Sequence, residues 1–472
     1  MNYNASGVRN RFKTAEGRFV LHAERTTGLQ PFNYQRSPRL TLAQLQGGAE
    51  EGAWILFNIG ECLNIARYDA THKDPSKALL FNSSPVRTGY PTCHAYAPAR
   101  DGLDLLVGLG DGSVLLLSLR AHLQAAGISV KPNPAVSLAP ETVSEVHRCT
   151  ALAWVPRSDA GVFAAAFSSG NIYVYKKSHL TGEGSGKFSL SLGSGNKSQA
   201  PSSTIQLTGG GVNDIAVSPD GRLLAAACRD GALRLVDLGS GGVVGGFCSY
   251  YGALLCCAFS PCGKFVATGG EDDLVSVYGV AERSPVVYGE GHRSWVSRVA
   301  WDPWAFHDAS GGASRPRTAL PEPLAGPPPR LYRLGSAGQD CELCMWDVQP
   351  GGDGEGLAGL MAAASLGPGA GGGMKRNGSV GALAAAGGSR PSDGSPVAGS
   401  GPGHDRKSSV GKGGGLCPSL PRADMYIIQP VMEHKIHLEP MSDLLYTEEA
   451  IFTVDHTGNI RTWVRPQPEA GA

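Results

Sequence analysis

Thr181-Gly-Glu-Gly-Ser-Gly-Lys-Phe188 sets a lysine behind a glycine-rich run, the pattern with which a loop cradles phosphates. It lacks the first glycine of that motif and has Phe188 where a magnesium-binding hydroxyl belongs. Gly108-Leu-Gly-Asp-Gly-Ser113 resembles a dinucleotide fingerprint, but the flanking apolar runs predict strand–turn–strand, and pyrophosphate binding needs a following helix N-terminus. Cys341 and Cys344 form a CxxC with no second pair downstream at zinc spacing. Both are expected on one strand, pointing to opposite faces. His434 and His437 have no matching carboxylate motif, and no nucleophile elbow occurs. The sequence predicts no catalytic residue, no metal ligand and no cofactor, so the chain reads as a binding scaffold, not an enzyme.

The elements that would carry such a scaffold repeat. Val212-Asn-Asp-Ile-Ala-Val-Ser-Pro-Asp-Gly, Leu254-Leu-Cys-Cys-Ala-Phe-Ser-Pro-Cys-Gly and Val296-Ser-Arg-Val-Ala-Trp-Asp-Pro align on Ser218, Ser260 and Asp302, each 42 residues apart. Asp230 and Asp272 keep the same interval. Each unit reads as an alternating strand, a tight turn, an apolar strand, an acidic turn and a third strand, with room for a fourth. A four-stranded unit at this period is a β-propeller blade. Diverged copies around Asp111-Gly112, Gly170-Asn171 and Gly458-Asn459, and a strand pair over 52–69, raise the count to seven. The fold class expected is all-β, a single WD-repeat propeller.

The sixth unit ends in Trp346-Asp347, the dipeptide that names such repeats. Its His292, Ser336, Asp340 and Trp346 are expected to lock the blade through a buried chain of hydrogen bonds from imidazole to hydroxyl, carboxylate and indole N–H. Trp301 falls in the alternating pattern and reads as core. Trp295 stands one residue before that strand, aligned with Ala253 and Gly211, so blade packing does not demand an indole there. A large aromatic in such a loop is a protein-binding anchor candidate.

Residues 1–16 read as an N-terminal extension and 17–304 as blades 1–5 with the start of blade 6. The strand at 17–24 is the candidate that closes the ring on the last blade. Residues 305–330 and 350–421 are rich in Gly, Ala, Ser and Pro and are expected to be disordered insertions in the sixth blade. Residues 331–349 continue that blade, and 422–466 complete it and form blade 7. Ser379, Ser408 and Ser409 follow basic residues and are possible phosphorylation sites. The chain carries 41 basic and 41 acidic residues, without the basic footprint that a nucleic-acid or anionic-membrane partner calls for. The 11 cysteines form no spaced framework, and no apolar run has the length of a membrane span, so a reduced cytoplasmic or nuclear setting is expected.

FKTAEG (12–17), PTCHAY (91–96), SSGNIYVY (168–175), SYYGALLC (249–256), TGGEDDLVSV (268–277), GHRSWVSRVAWDP (291–303), YRLGSAGQDCELCMWD (332–347) and LCPSL (416–420) occur in order. Together they resemble the WD-repeat family that includes fungal CreC and the dystrophia-myotonica WD-repeat protein. The resemblance implies a non-catalytic subunit that binds and activates a ubiquitin-specific protease, in some cases beside a second WD-repeat activator. It also implies a protease-binding surface that includes Trp295 and Tyr251, with a tyrosine here at a position where related members carry phenylalanine. The competing readings are a general interaction scaffold and a substrate receptor of a cullin-type ubiquitin ligase. Such receptors usually carry an arginine two residues after the Trp-Asp dipeptide, where this chain has Gln349.

Overall fold

The computed structural model describes residues 8–26, 37–69, 75–81, 89–138, 147–158, 161–181, 200–207, 209–305, 332–348 and 415–466. Seven sheets of four or five strands form a seven-bladed β-propeller. The innermost strands are Leu40–Leu45, Pro91–Tyr96, Cys149–Trp154, Val212–Val217, Leu254–Phe259, Val296–Asp302 and Met441–Tyr446. Each packs against the next, and the last packs back on the first, which closes the ring.

The second strand of each blade is covered by neighbours on both faces, so it carries a continuous apolar or small run instead of an alternation. Leu223–Cys228 and Phe265–Gly270 show this pattern, and Ala225, Ala226, Ala227 and Ala267 are all fully buried. One inter-blade cluster joins Val275, Val277 and Val287 of blade 5 to Val299, Trp301, Tyr332 and Trp346 of blade 6. Trp301 is 7% exposed, donates from Nε1 to the Ala258 carbonyl at 3.1 Å and meets Tyr332 edge-on.

The 42-residue register marks the end of each innermost strand. Ser218 Oγ accepts from the Leu223 amide at 2.9 Å and Ser260 Oγ from the Phe265 amide at 3.1 Å, so each hydroxyl closes its turn. Asp302 instead accepts from the Trp304 amide at 3.0 Å and from Arg465 at 2.6 Å, tying blade 6 to blade 7.

Gly17–Thr26 pairs antiparallel with Asn459–Val464 and completes blade 7. A further strand, Arg11–Thr14, pairs with it in a hairpin, within the stretch that composition assigns to an extension. Phe12 is buried there, stacked on Phe19 at 4.9 Å and tilted against Trp463 at 5.3 Å. Glu16, in the hairpin turn, pairs with Arg333 of blade 6 and with Arg465.

The insertions, with Ser379, Ser408, Ser409 and the glycine-rich run after Thr181, lie outside the described residues, apart from Ala305 and residues 415–421. Those last residues pair with the propeller. The chain leaves blade 6 after Val348, and Gly415 onward runs along the outer edge of blade 4, where the Cys417 amide donates to the Gly246 carbonyl at 2.9 Å. Ile427–Ile428 then adds in parallel to the outer strand of blade 5, and Met432–Lys435 supplies the fourth strand of blade 6. Backbone pairing outweighs the composition of this stretch.

Among the described residues no helix is long and apolar enough to cross a membrane.

Candidate functional site

Loops that enter the innermost strands share one face of the ring with the turns between second and third strands. Tyr251 and Trp295 sit on this face in adjacent blades, in the loops leading into Leu254–Phe259 and Val296–Asp302. Tyr251 is 72% exposed and Trp295 38%, while Trp346 and Trp463 are fully buried. Tyr250, which the sequence did not single out, is 61% exposed and extends the patch. Its signal was the doubled tyrosine in Ser249-Tyr-Tyr-Gly252, where one ring alone was weighed.

The turn 271–273 of blade 5 supports this loop. The Tyr250 amide donates to Asp272 Oδ2 at 3.2 Å and the Ala253 amide to Glu271 Oε2 at 2.9 Å. Ser249 Oγ donates to the Tyr251 and Gly252 carbonyls at 3.2 and 2.9 Å. Gly252 takes φ +64°, the left-handed region, and a Cβ there would lie 2.7 Å from Glu271. These bonds fix the backbone that carries the two tyrosines and leave the rings outward. Burial pushes the Asp272 carboxyl up to about 6, opposed by its bonds to the Leu274 and Tyr250 amides. Asp273 senses the charges of Asp340 and His292, which places this turn between the tyrosine loop and blade 6. The Trp295 carbonyl accepts from the Gln339 amide at 2.9 Å, anchoring its loop to the acidic turn of its own blade.

His292, Ser336, Asp340 and Trp346 come together beneath Trp295. His292 Nδ1 lies 2.9 Å from Asp340 Oδ2, and Nε2 lies 2.5 Å from Ser336 Oγ. The expected indole bond is not made: Trp346 Nε1 is buried without a hydrogen-bond partner, and the ring packs tilted on His292 at 5.8 Å. Strand register is not the reason: Trp346 stands diagonal to Ser336 just as Trp463 stands diagonal to Thr453 in blade 7. Asp340 stays below the ordinary carboxylate range: burial opposes ionisation, but the bonds from His292 and the Arg293 and Glu342 amides outweigh it.

Blade 7 holds a complete set that sequence reading missed. His437 Nδ1 lies 3.0 Å from Asp455 Oδ2, Nε2 lies 2.8 Å from Thr453 Oγ1, and Trp463 Nε1 donates to Thr453 Oγ1 at 3.1 Å. Burial depresses the His437 imidazole, so it is neutral at pH 7. One proton arrangement then serves all members: indole N–H to the Thr453 oxygen, its O–H to Nε2, and Nδ1–H to Asp455. The carboxylate follows Thr453 by two residues, where blade 6 has Gly338 after Ser336. A Cβ on Gly338 would stand 2.3 Å from Asp340 and 2.4 Å from His292. The two blades thus fill one volume by different routes, from Asp340 four residues on or from Asp455 in place. His437 does have a carboxylate, and alignment on the tryptophans would have revealed it.

Cys341 is not on a strand with Cys344; it occupies the turn, with φ +67°, and the strand begins at Glu342. Burial raises the Cys341 thiol to about 11 and Cys256 to about 12, so both stay protonated at neutral pH. Among the described residues no group of three or more His, Cys, Asp or Glu is placed to hold a metal ion.

The sequence profile of the WD domain, G-beta repeat, matches residues 201–237 and 246–279, each running from the outer strand of one blade through the first three strands of the next, blades 4 and 5 respectively. The chain is 28% identical over 381 residues to "WD repeat-containing protein 20" of Mus musculus, covering 72% of this chain and 65% of that protein. It is 27% identical over 362 residues to the "WD repeat-containing protein 20 homolog" of Caenorhabditis elegans, covering 62% of this chain and 46% of the relative. The chain therefore spans less than two thirds of the length of these curated relatives. A chain in "Crystal Structure of Mitotic Checkpoint Complex" superposes with a TM-score of 0.55 over 98% of both chains at 12% identity, a likeness of fold alone. Seven closed blades, a lock of imidazole, hydroxyl, carboxylate and indole complete in blade 7, and the matched repeats together make the chain a WD-repeat β-propeller protein, similar in sequence to WD repeat-containing protein 20.

Proposed function

We propose that this protein is a non-catalytic subunit that binds a ubiquitin-specific cysteine protease and raises its activity. The nucleophile of the reaction belongs to the partner. The observation that carries the reading is the exposed aromatic patch of Tyr250, Tyr251 and Trp295 on one face, with the tyrosine loop fixed by the bonds of Glu271, Asp272 and Ser249 and the Trp295 backbone by Gln339. Aromatic residues in such positions are the anchors that dominate interface energetics, and their truncation costs about 2 kcal/mol or more of binding. The resemblance set out above supplies the partner class.

The test mixes the purified full chain with a panel of ubiquitin-specific proteases and follows cleavage of a fluorogenic ubiquitin substrate. The expected outcome is faster turnover with one of them, and roughly thirtyfold weaker binding on Trp295→Ala. Tyr251→Ala should act in the same direction, with the melting temperature of both variants unchanged. A panel in which no protease binds or accelerates removes the reading. Binding that survives both substitutions removes the patch as its site.

A further inference from the structure

Strand alternation puts Glu342 on the face of blade 6 that carries Cys344 and Trp346, and Glu433, paired directly with Cys344, shares that face. Cys344 and Trp346 pack against Val275 and Val277 of blade 5, so both carboxylates stand at the upper end of the seam between blades 5 and 6. Asp273, in the turn that leads into Val275, borders the same seam from blade 5. The loops that carry Tyr250, Tyr251 and Trp295 lie at its inner end.

Other blades answer a carboxylate at this height with an arginine on the third strand. In blade 7 that position is Arg461, which pairs with Glu24 on the neighbouring strand at 2.8 Å, while Asn459 donates to the same carboxylate at 2.8 Å. In blade 4 it is Arg234, bound to the two oxygens of Asp230 at 2.9 and 2.6 Å. Blade 5 has Ser276 opposite Tyr288, with no carboxylate to answer. Blade 6 keeps the carboxylate, Glu433, but sets the neutral Cys344 opposite it, and Glu342 stands where blade 7 has its asparagine. Two arginines reach this rim and both are engaged, Arg293 with Glu433 at 3.0 Å and Arg422 with Glu290 at 2.6 Å. Among the described residues Asp273 and Glu342 form no ion pair, and Glu342 Oε2 is buried without a hydrogen-bond partner. Burial raises the Glu342 carboxyl, and the charges of Asp340 and Glu433 raise it further. The seam is therefore short of a cation at the point where it meets the exposed aromatic patch.

We propose that the protein docked on the aromatic face delivers an arginine or lysine side chain to Glu342 and Glu433 at the top of this seam. The inference rests on the reading of that patch as a docking face and adds the chemistry of the partner: an apolar surface that receives the rings, with a basic residue beside it. A planar guanidinium can bond both carboxylates at once, and a seam covered by the partner screens the pair less than open water does. The incoming charge takes the part that Arg461 and Arg234 play within blades 7 and 4.

The experiment measures binding of the full chain to two degenerate peptide pools, identical except for a fixed central arginine or glutamine, and to the protease panel. The arginine pool is expected to bind at least about tenfold more tightly than the glutamine pool, with the preference shrinking as salt rises. Glu342→Gln should reduce the preference, and Glu342→Gln with Glu433→Gln should abolish it, at an unchanged melting temperature. Equal binding of the two pools overturns the proposal, as does a preference that survives the double substitution. Glu342→Lys should weaken a protease that binds by at least about tenfold, because it sets like charge against the incoming cation. Protease binding that is lost on Trp295→Ala but unchanged by Glu342→Lys overturns the proposal and leaves the protease reading standing. A panel without a binder removes that reading alone, and the two pools then decide this one.

Discussion

At the scale of single residues, the two blade locks are a natural comparison. Thr453 Oγ1 serves two partners, His437 and Trp463, whereas Ser336 Oγ serves His292 alone. Thr453→Val keeps the shape and orphans two buried groups, at about 1–3 kcal/mol each; Ser336→Ala orphans one. Denaturant melts should therefore rank Thr453→Val as the more damaging. The opposite order would mean that the Trp346 indole, not the hydroxyl, holds blade 6. The types and spacing of the blade 6 set were legible because they follow the repeat; the missing indole bond was not, since blades 6 and 7 share the same interval and pairing register and differ only in how the side chains settle. The blade 7 set went unseen because its carboxylate moved by two positions while the hydroxyl and indole kept their interval of ten residues.

At the scale of elements, alternation and the 42-residue register were enough to place the first three strands of blades 4 and 5, where turns are short, and the first strand of blade 6. The N-terminal hairpin was half legible. Gly17–Thr26 has the apolar content of a strand, but Arg11–Thr14 earns its place only through Phe12, whose burial depends on Phe19 and Trp463 far away in sequence. Phe12→Ala should cost about 3–5 kcal/mol in chemical denaturation, the range for an aromatic truncated in a core. A loss under about 1 kcal/mol, as for a surface position, would show that the hairpin's outer strand adds nothing to closure. The same distance in sequence hid the edge pairing of residues 415–428, which touch blades 4 and 5 although their neighbours in the chain belong to blade 6.

At the scale of the whole molecule, closure is shared between the two ends of the chain. Arg461 pairs with Glu24 at 2.8 Å within blade 7, and at a second site Arg465 reaches Glu16 and Asp302, joining blades 6 and 7 and the N-terminal hairpin. The pieces on either side of the long insertion, 1–348 and 415–472, should assemble when co-expressed, because the second contributes three strands to blade 7 and one to blade 6. Copurification of the two by a tag on either one checks this. Fragments that elute separately would show that the covalent link, and not the pairing, keeps the ring shut. The face that carries the anchors was legible in outline, since loops that lead into a strand all emerge on one side. The joining of Tyr250 and Tyr251 with Trp295 into one patch was not, because they come from the loops of two blades that meet only after the ring closes.

The path of the returning segment sets a rule for the tract that precedes it. Val348 stands on blade 6, and Gly415 resumes beside blade 4, so the two ends of that tract are fastened to separate blades. Its composition imposes no length, yet geometry does: a hairpin spliced between Val348 and Gly415 could not stretch around the rim and would peel the segment from blades 4 and 5. Any link between Val348 and Gly415 therefore has a minimum span, set by the arc from blade 6 to blade 4.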